Sequence, residues 1–436
     1  MVTDTAKSVI TCDLEGRIET YNKAAEQIFG YEAEEVIGKK RVSLFSPGLV
    51  VLAHVNDWLK EAREKGEYKG ETVFVHKDGR LFTADVRITP TFRKVNGVKQ
   101  QIGYCGVTIP RYDVPVQAAM PKIGLSTRIF SWLVITRSPF LTATIIPILV
   151  AAAWVVAQGK ASPFPWTLFF LTMFGGIALH IAANTFNDYF DWRSGTDPIN
   201  NDYFLPYSGG SRSIELGLIT SQALLRVAFF ALGIAALFGL ALVILGRPLV
   251  IVFGLVGAFS AYFYTAPPLR LVARKGWGEL LIGLNFGILL VGGTVYSLTG
   301  AVTLIDFLLG IPIGLLITAI LWINEFPDYE ADKATGKNNL VVVLGLKNAR
   351  WGYLSLLVGA FGILLFGVLV GVLPWSVLLT FLALPFGVYT TIILFRHYAD
   401  RSLIKANAFT IMLHVAVGVL LVVGLLLAGQ VTNVVM

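Results

Sequence analysis

Asn184-Thr-Phe-Asn187-Asp188-Tyr-Phe-Asp191-Trp-Arg193-Ser-Gly195-Thr-Asp197 closes an apolar run that begins near Pro163. At helical pitch Asn184, Asn187, Asp188 and Asp191 share one narrow arc, because their spacings are three, four and seven residues. A second stretch ends another apolar run: Asn324-Glu-Phe-Pro327-Asp328-Tyr-Glu-Ala-Asp332-Lys333. Each contains Asn-x-x-x-Asp followed by a further Asp. Carboxylates at the end of a membrane helix are costly to desolvate, so they face a cavity, a partner or an ion. One such stretch alone reads as a solvated helix end. Two that match, each ending an apolar run, read as the opposed walls of a site. They repel unless cations sit between them, and magnesium suits that position: it takes oxygen ligands and keeps waters or substrate phosphates as the rest.

Composition places these stretches in a membrane. Of 436 residues, 55% are hydrophobic and 14% charged, with mean hydropathy +0.69. That excludes a wholly soluble chain and predicts a polytopic membrane protein; nothing in it points to nucleic acid. Residues 1–110 are different, with 16 Lys+Arg against 15 Asp+Glu, while the remainder carries 19 against 13. Cys12 and Cys105, the two cysteines, read as reduced thiols. The N-terminus lacks the apolar core of a cleaved secretory signal.

From Ser8 to Pro110 the pattern predicts a small α+β domain. Val9–Asp13 and Ile18–Tyr21 read as strands joined by a turn, and Asn22 caps a helix that Gly30 stops. Thr72–Val75, Leu81–Ile88 and Gln100–Val107 read as antiparallel strands, with Lys77-Asp-Gly-Arg80 and Val95-Asn-Gly97 as turns. Asp13-x-x-Gly16-x-Ile18-x-x-x-Asn22-x-Ala24-Ala25, Phe29-Gly30-Tyr31, Glu35-Val36-Ile37-Gly38 and Lys77-Asp78-Gly79 resemble a PAS sensor domain. That resemblance implies ligand sensing or a homodimer contact; the ligand itself is not legible. His54 reads as a packing or surface histidine rather than a haem ligand. Residues 111–123 form a Pro-marked linker to a membrane domain over 124–436.

Gly124–Ser138 reads as an interfacial helix. Nine spans follow, near 139–157, 166–189, 225–245, 248–266, 279–299, 305–326, 351–370, 374–395 and 407–430. The expected fold is therefore an all-α bundle of nine transmembrane helices behind the PAS-like domain. Lys122, Arg128 and Arg137 precede the first span; Arg193 and Arg212 follow the second, Arg270, Arg274 and Lys275 the fourth, Lys333, Lys337, Lys347 and Arg350 the sixth. Arg396, Arg401 and Lys405 follow the eighth, whereas the opposite loops offer Lys160 and Arg247. This asymmetry puts the N-terminus, the PAS-like domain and both acidic stretches on the cytoplasmic side, and the C-terminus outside.

The even-numbered loops hold the remaining chemistry. In Leu205-Pro-Tyr-Ser-Gly-Gly-Ser-Arg212-Ser the glycines let backbone amides approach an anion, and Arg212 can pair with phosphate. Tyr264-Thr-Ala-Pro-Pro-Leu-Arg270 aims Arg270 from a helix end, and Thr335-Gly336-Lys337 places Lys337 just beyond Asp332. Taken singly, each basic residue is a topology-setting charge; beside two acidic stretches they compose a metal–diphosphate site.

These motifs, with Asn324-Glu-Phe-Pro-Asp-Tyr-Glu-Ala-Asp-Lys-x-x-Gly-Lys337, resemble the UbiA superfamily of intramembrane prenyltransferases over about residues 125–430. Asn187-Asp-x-x-Asp191-x-x-x-Gly195-x-Asp197 is similar to its 1,4-dihydroxy-2-naphthoate branch, although the loop at Pro206–Ser213 departs from that pattern. The resemblance implies a prokaryotic membrane enzyme of menaquinone or related quinone biosynthesis. Asp191, Asp197, Asp328 and Asp332 would hold magnesium, and Asn187, Asp188 and Asn324 would complete the catalytic set. Asn184, Arg212, Arg270 and Lys337 would bind a polyprenyl diphosphate, and the apolar bundle would lodge its tail beside an aromatic acceptor. Two other readings stay open: a family member with a phenolic, haem or glycerol-phosphate acceptor, and a PAS-controlled receptor or transporter. The second would place polar groups near the midplane, where His414 and Asn285 stand isolated.

Nine spans put the two termini on opposite sides. In intact cells an impermeant thiol reagent is expected to reach a cysteine placed at Asn433 and to miss one at Thr3; labelling of both from outside refutes the count.

Overall fold

The computed structural model describes residues 7–95, 97–203 and 207–434. They form two compact units, one of residues up to Ile135 together with Arg212–Thr220, the other of Thr136–Ser211 and Ser221 onwards. The helix Leu125–Ile135 belongs to the first unit, with Leu125, Ile129, Phe130, Trp132 and Leu133 exposed.

The first unit is built on five antiparallel strands: β1 Ser8–Asp13, β2 Ile18–Tyr21, β3 Tyr68–Val75, β4 Leu81–Val95 and β5 Val98–Pro110. Their order is β2-β1-β5-β4-β3, so the last strand lies beside the first. Ile10 pairs with Tyr21, Val9 with Val107 and Ile88 with Gly106. Asn22 caps the helix Lys23–Phe29 by accepting from the Ala25 amide at 2.9 Å, and Gly30 ends it in the left-handed region. From Gly48 to Lys65 the chain is helical, with a π-helical turn at Val51–Val55 leading into Asn56–Lys65. Aromatic packing fills the core, with the Phe29 and Phe45 rings 4.3 Å apart. Cys12 and Cys105 are free thiols, and burial pushes the Cys12 thiol up to about 12, which makes it inert.

In the second unit eight helices among the described residues are long and apolar enough to cross a membrane. They match eight of the expected spans. The exception is the fourth, expected over 248–266: its helix, Val250–Phe263, has 14 residues and reaches about 21 Å, short of the ~30 Å hydrocarbon thickness. Residues 264–266 leave the helix toward the cis Pro267–Pro268 bond, and Gly246 and Pro248 break the chain before it. The count of nine is therefore not reached by length.

Two contacts fix the helix Gly310–Ala334, which carries the second acidic stretch. Near one end it crosses a π-helical segment, Gly283–Leu289, backbone to backbone: a Cβ on Gly287 would lie 2.5 Å from Gly314 Cα and 2.6 Å from the Gly310 carbonyl oxygen. Near the other end Pro327 lacks the amide that would bond the Ile323 carbonyl. Asn407 replaces it, donating from Nδ2 to Ile323 O at 3.1 Å and to Asn324 Oδ1 at 2.8 Å. The side chain that repairs the helix thereby also orients the first residue of the motif.

Gly287→Ala inserts a methyl group where only backbone fits. It is expected to destabilise the protein by roughly 1–3 kcal/mol, seen as a lower unfolding temperature in detergent, while Gly362→Ala, which meets nothing within 4 Å, leaves it unchanged.

Candidate active site

The helix Trp166–Arg193 lines a cavity of about 690 Å³ with Leu171, Gly175, Leu179, Ala183, Asn187 and Asp191, among others. These positions recur at helical pitch over 20 residues, or about 30 Å. Most of the wall is apolar, with small residues of Val250–Phe263 and Ser221–Ile244 opposite. One end is polar, and both acidic stretches meet there.

Chain reversals build that end. After Arg193, Gly195 adopts φ 84°, a left-handed cap, and the turn Thr196–Ile199 returns Asp197 to the cavity wall. Gly336, at φ 69°, likewise turns the chain after Ala334. The Lys337 amide bonds Asp332 O at 2.8 Å, and its ammonium lies 3.3 Å from Asp191 Oδ2 and 3.5 Å from Asp332 Oδ1. Burial works against this charge, but Asp191 and Asp332 outweigh it and hold the ammonium well above its ordinary value. Asn200 Nδ2 donates to Asp328 Oδ1 at 2.7 Å, and Thr196 donates to Thr335 at 3.1 Å, so the two motifs face each other across a few ångströms.

Asn184, Asn187, Asp191, Asp197, Asn324, Asp328, Asp332 and Lys337 all line the cavity. Three expected residues do not. Asp188 is turned to the backbone, accepting from the Ser211 amide at 3.2 Å with Arg137 at 3.5 Å; one residue past Asn187 carries it about 100° round the helix. Arg212 belongs to the first unit, where its guanidinium pairs with Glu215 at 3.0 Å. Arg270 is absent from the cavity wall, because its backbone bonds Ala266 O and turns left-handed there.

Arg137, read from sequence as a topology charge, supplies a cation at the wall: it donates to Asn187 Oδ1 at 3.1 Å. Its left-handed backbone, φ 53°, gave no sequence signal. Asn339 was equally hidden; it donates to Asp332 Oδ2 at 2.8 Å while capping the next helix. The glycine loop does approach anions, and they are the protein's own: Gly209 N bonds Asp328 Oδ2 at 3.2 Å. Leu205 and Pro206 of that loop lie outside the described residues. Asn285 donates to Ser260 at 3.1 Å on the apolar wall.

Among the described residues no three acidic, histidine or cysteine side chains converge as a complete metal cage. The donor set nonetheless fits magnesium. Carboxylates approach from two sides, and Asp332 Oδ1 is buried without a hydrogen-bond partner. Magnesium needs only one or two of them, taking substrate phosphates and water for the rest.

Residues 145–416 match the UbiA prenyltransferase family, which is more than half of the chain. The chain belongs to that family. It is an integral membrane prenyltransferase, and residues 6–105 match the PAS domain family. Among relatives of the UbiA part, the 1,4-dihydroxy-2-naphthoate octaprenyltransferase of Bacillus subtilis (strain 168) is 28% identical over 299 residues, 67% of this chain and 91% of that protein. The protein of the same name from Escherichia coli (strain K12) is 32% identical over 242 residues, 54% of this chain and 75% of that protein. The apo structure of a UbiA homolog from Aeropyrum pernix K1 superposes with TM-score 0.50 at 15% identity, covering 66% of this chain and 98% of that one. It shares the fold.

Asp191→Asn and Asp328→Asn each remove a charge at constant size. Both proteins are expected to insert and fold, and to lose at least about 100-fold in turnover at saturating magnesium, or roughly 3 kcal/mol. Near-normal rates in either remove these carboxylates from the reaction.

Proposed function

We propose that this UbiA-family enzyme transfers the prenyl group of a polyprenyl diphosphate to a dihydroxynaphthoate-type ring in quinone biosynthesis, with magnesium as cofactor. The observation that carries this reading is a cavity whose wall is mostly apolar and which is closed at one end by two opposed Asn/Asp motifs. The bacterial relatives named for dihydroxynaphthoate prenylation support the choice of ring.

Asp191, Asp197, Asp328 and Asp332 would hold the magnesium, which when bound neutralises charge on the diphosphate leaving group. The chain's own residues do the rest. Lys337 and Arg137 are the cations at the wall that can turn to diphosphate oxygens. Asn187 and Asn324 present amides beside them, Asn324 held by Asn407. The apolar wall lodges the tail and keeps water from the allylic carbon as its bond to oxygen breaks. The ring carbon then bonds that carbon, and carbon dioxide leaves if the carbon carried a carboxylate.

Purified protein given magnesium, a long-chain prenyl diphosphate and dihydroxynaphthoate is expected to yield a product heavier by the prenyl group and lighter by carbon dioxide. Prenylation of a phenolic acid instead of dihydroxynaphthoate overturns the acceptor assignment.

The PAS domain enters the same reading as a regulator. Arg212–Thr220, which continues directly from Gly209–Ser211, folds with the first unit. Glu215 lies 3.5 Å from Lys40, and a Cβ on Gly48 would clash with the Leu216 carbonyl. A change in the domain that moves this segment would pull on the loop that touches Asp328, requiring only different ligand affinity in two states. A chain starting at Met120 is expected to insert and still form product, at an altered rate. If it folds, binds prenyl diphosphate and forms none, the domain is part of the catalytic unit.

A further inference from the structure

One carboxylate on the cavity wall has no part in the chemistry above. Glu325 follows Asn324 in the helix Gly310–Ala334, is 5% exposed, and lines the cavity. Both of its carboxylate oxygens are buried without a hydrogen-bond partner. Its neighbours differ: Asp328 accepts from Asn200 and the Gly209 amide, Asp332 from Asn339, Asp191 from Asn187. Glu279 accepts from the Leu340 amide at 2.6 Å. The Tyr264 hydroxyl lines the same cavity and is likewise buried without a partner. That hydroxyl is close enough to Glu325 to be coupled to it electrostatically, and a phenol O–H can donate to a ligand.

A buried carboxyl without a donor costs several kcal/mol, and the cost falls when a ligand brings one. The two reactants differ in what they bring. A prenyl tail has no polar atoms, and a diphosphate offers acceptor oxygens. A hydroxylated ring offers O–H donors.

We propose that Glu325 and Tyr264 form the acceptor subsite, Glu325 accepting a hydrogen bond from a ring hydroxyl and Tyr264 donating to a ring oxygen. The ligand class is a hydroxylated aromatic ring, and the assignment rests on the prenyl-transfer reading. In the reaction the allylic carbon–oxygen bond breaks with its electron pair going to diphosphate. The ring carbon bonds the allylic carbon, and the carboxylate on that ring carbon departs as carbon dioxide, leaving its bonding pair in the ring. The ring hydroxyl keeps its proton, and its hydrogen bond to Glu325 raises electron density in the ring as the new bond forms.

The test compares full-length wild type with Glu325→Met, which keeps the side-chain length and removes both acceptor oxygens, in lipid nanodiscs, varying acceptor, prenyl diphosphate and magnesium in turn. Dihydroxynaphthoate and its two monomethyl ethers serve as acceptors. The variant is expected to lose about tenfold in kcat/KM for the acceptor, the scale of one lost hydrogen bond. Its KM for prenyl diphosphate and its magnesium requirement stay within about twofold, and it no longer discriminates against the ether that removes the donor. An acceptor kcat/KM within about twofold of wild type overturns the proposal, as does an equal shift in magnesium or prenyl diphosphate dependence, which makes Glu325 part of the metal site. If the variant does not accumulate, the ethers on wild type decide: rejection of one supports the subsite, acceptance of both overturns it. A wild type that prenylates no ring removes the underlying reading itself, an outcome visible before any variant is compared.

Discussion

The Lys337 ammonium, shared by Asp191 at 3.3 Å and Asp332 at 3.5 Å, ties together the ends of two membrane helices that would otherwise repel. Its side chain is 12% exposed and that of Asp332 is 2% exposed, so the attraction is weakly screened. Removing one partner of such a pair strands the other charge and costs about 3–5 kcal/mol. One lysine does not balance the carboxylates gathered here. Asp191, Asp197, Asp328 and Asp332 face the cavity against Lys337 and Arg137, which leaves room for added cations. The site is held in shape by its own counter-charge.

That shape depends on the scaffold behind it. The close crossing of Gly287 with Gly310 and Gly314 fixes the depth of one helix. Asn407 holds the same helix near its other end, where Pro327 has removed a backbone donor. Glycine and proline, both poor residues for a helix interior, here set the position of the carboxylates.

The sequence made much of this legible. Asn184, Asn187 and Asp191 lie on one face because helical spacing is simple arithmetic, and the second motif repeats it. Small-domain strands and the cap at Asn22 followed from alternation and from a side chain bonding its own backbone. Other parts depended on packing across long separations. Arg137 reaches Asn187 across 50 positions and Asn407 reaches Asn324 across 83, and no local pattern announces either. Arg212 and Arg270 have the right chemistry in the right loops, but left-handed backbone at both turns the chain in ways that composition does not reveal. The fourth helix shows the same limit: an apolar run long enough for a span is cut to 14 residues by the glycine and prolines at its margins.

The cavity has one further consequence, for what happens after the bond is made. Its polar end is formed partly by loops outside the spans, at Asp197, Gly209 and Lys337, while its length runs between membrane helices. One product of prenyl transfer is a small multivalent anion and the other a long hydrocarbon bearing a ring. Each is insoluble in the phase that takes up the other. The chamber therefore sorts its products by partition as they form, and their separation into water and lipid makes the return reaction a meeting of two molecules that no longer share a solvent.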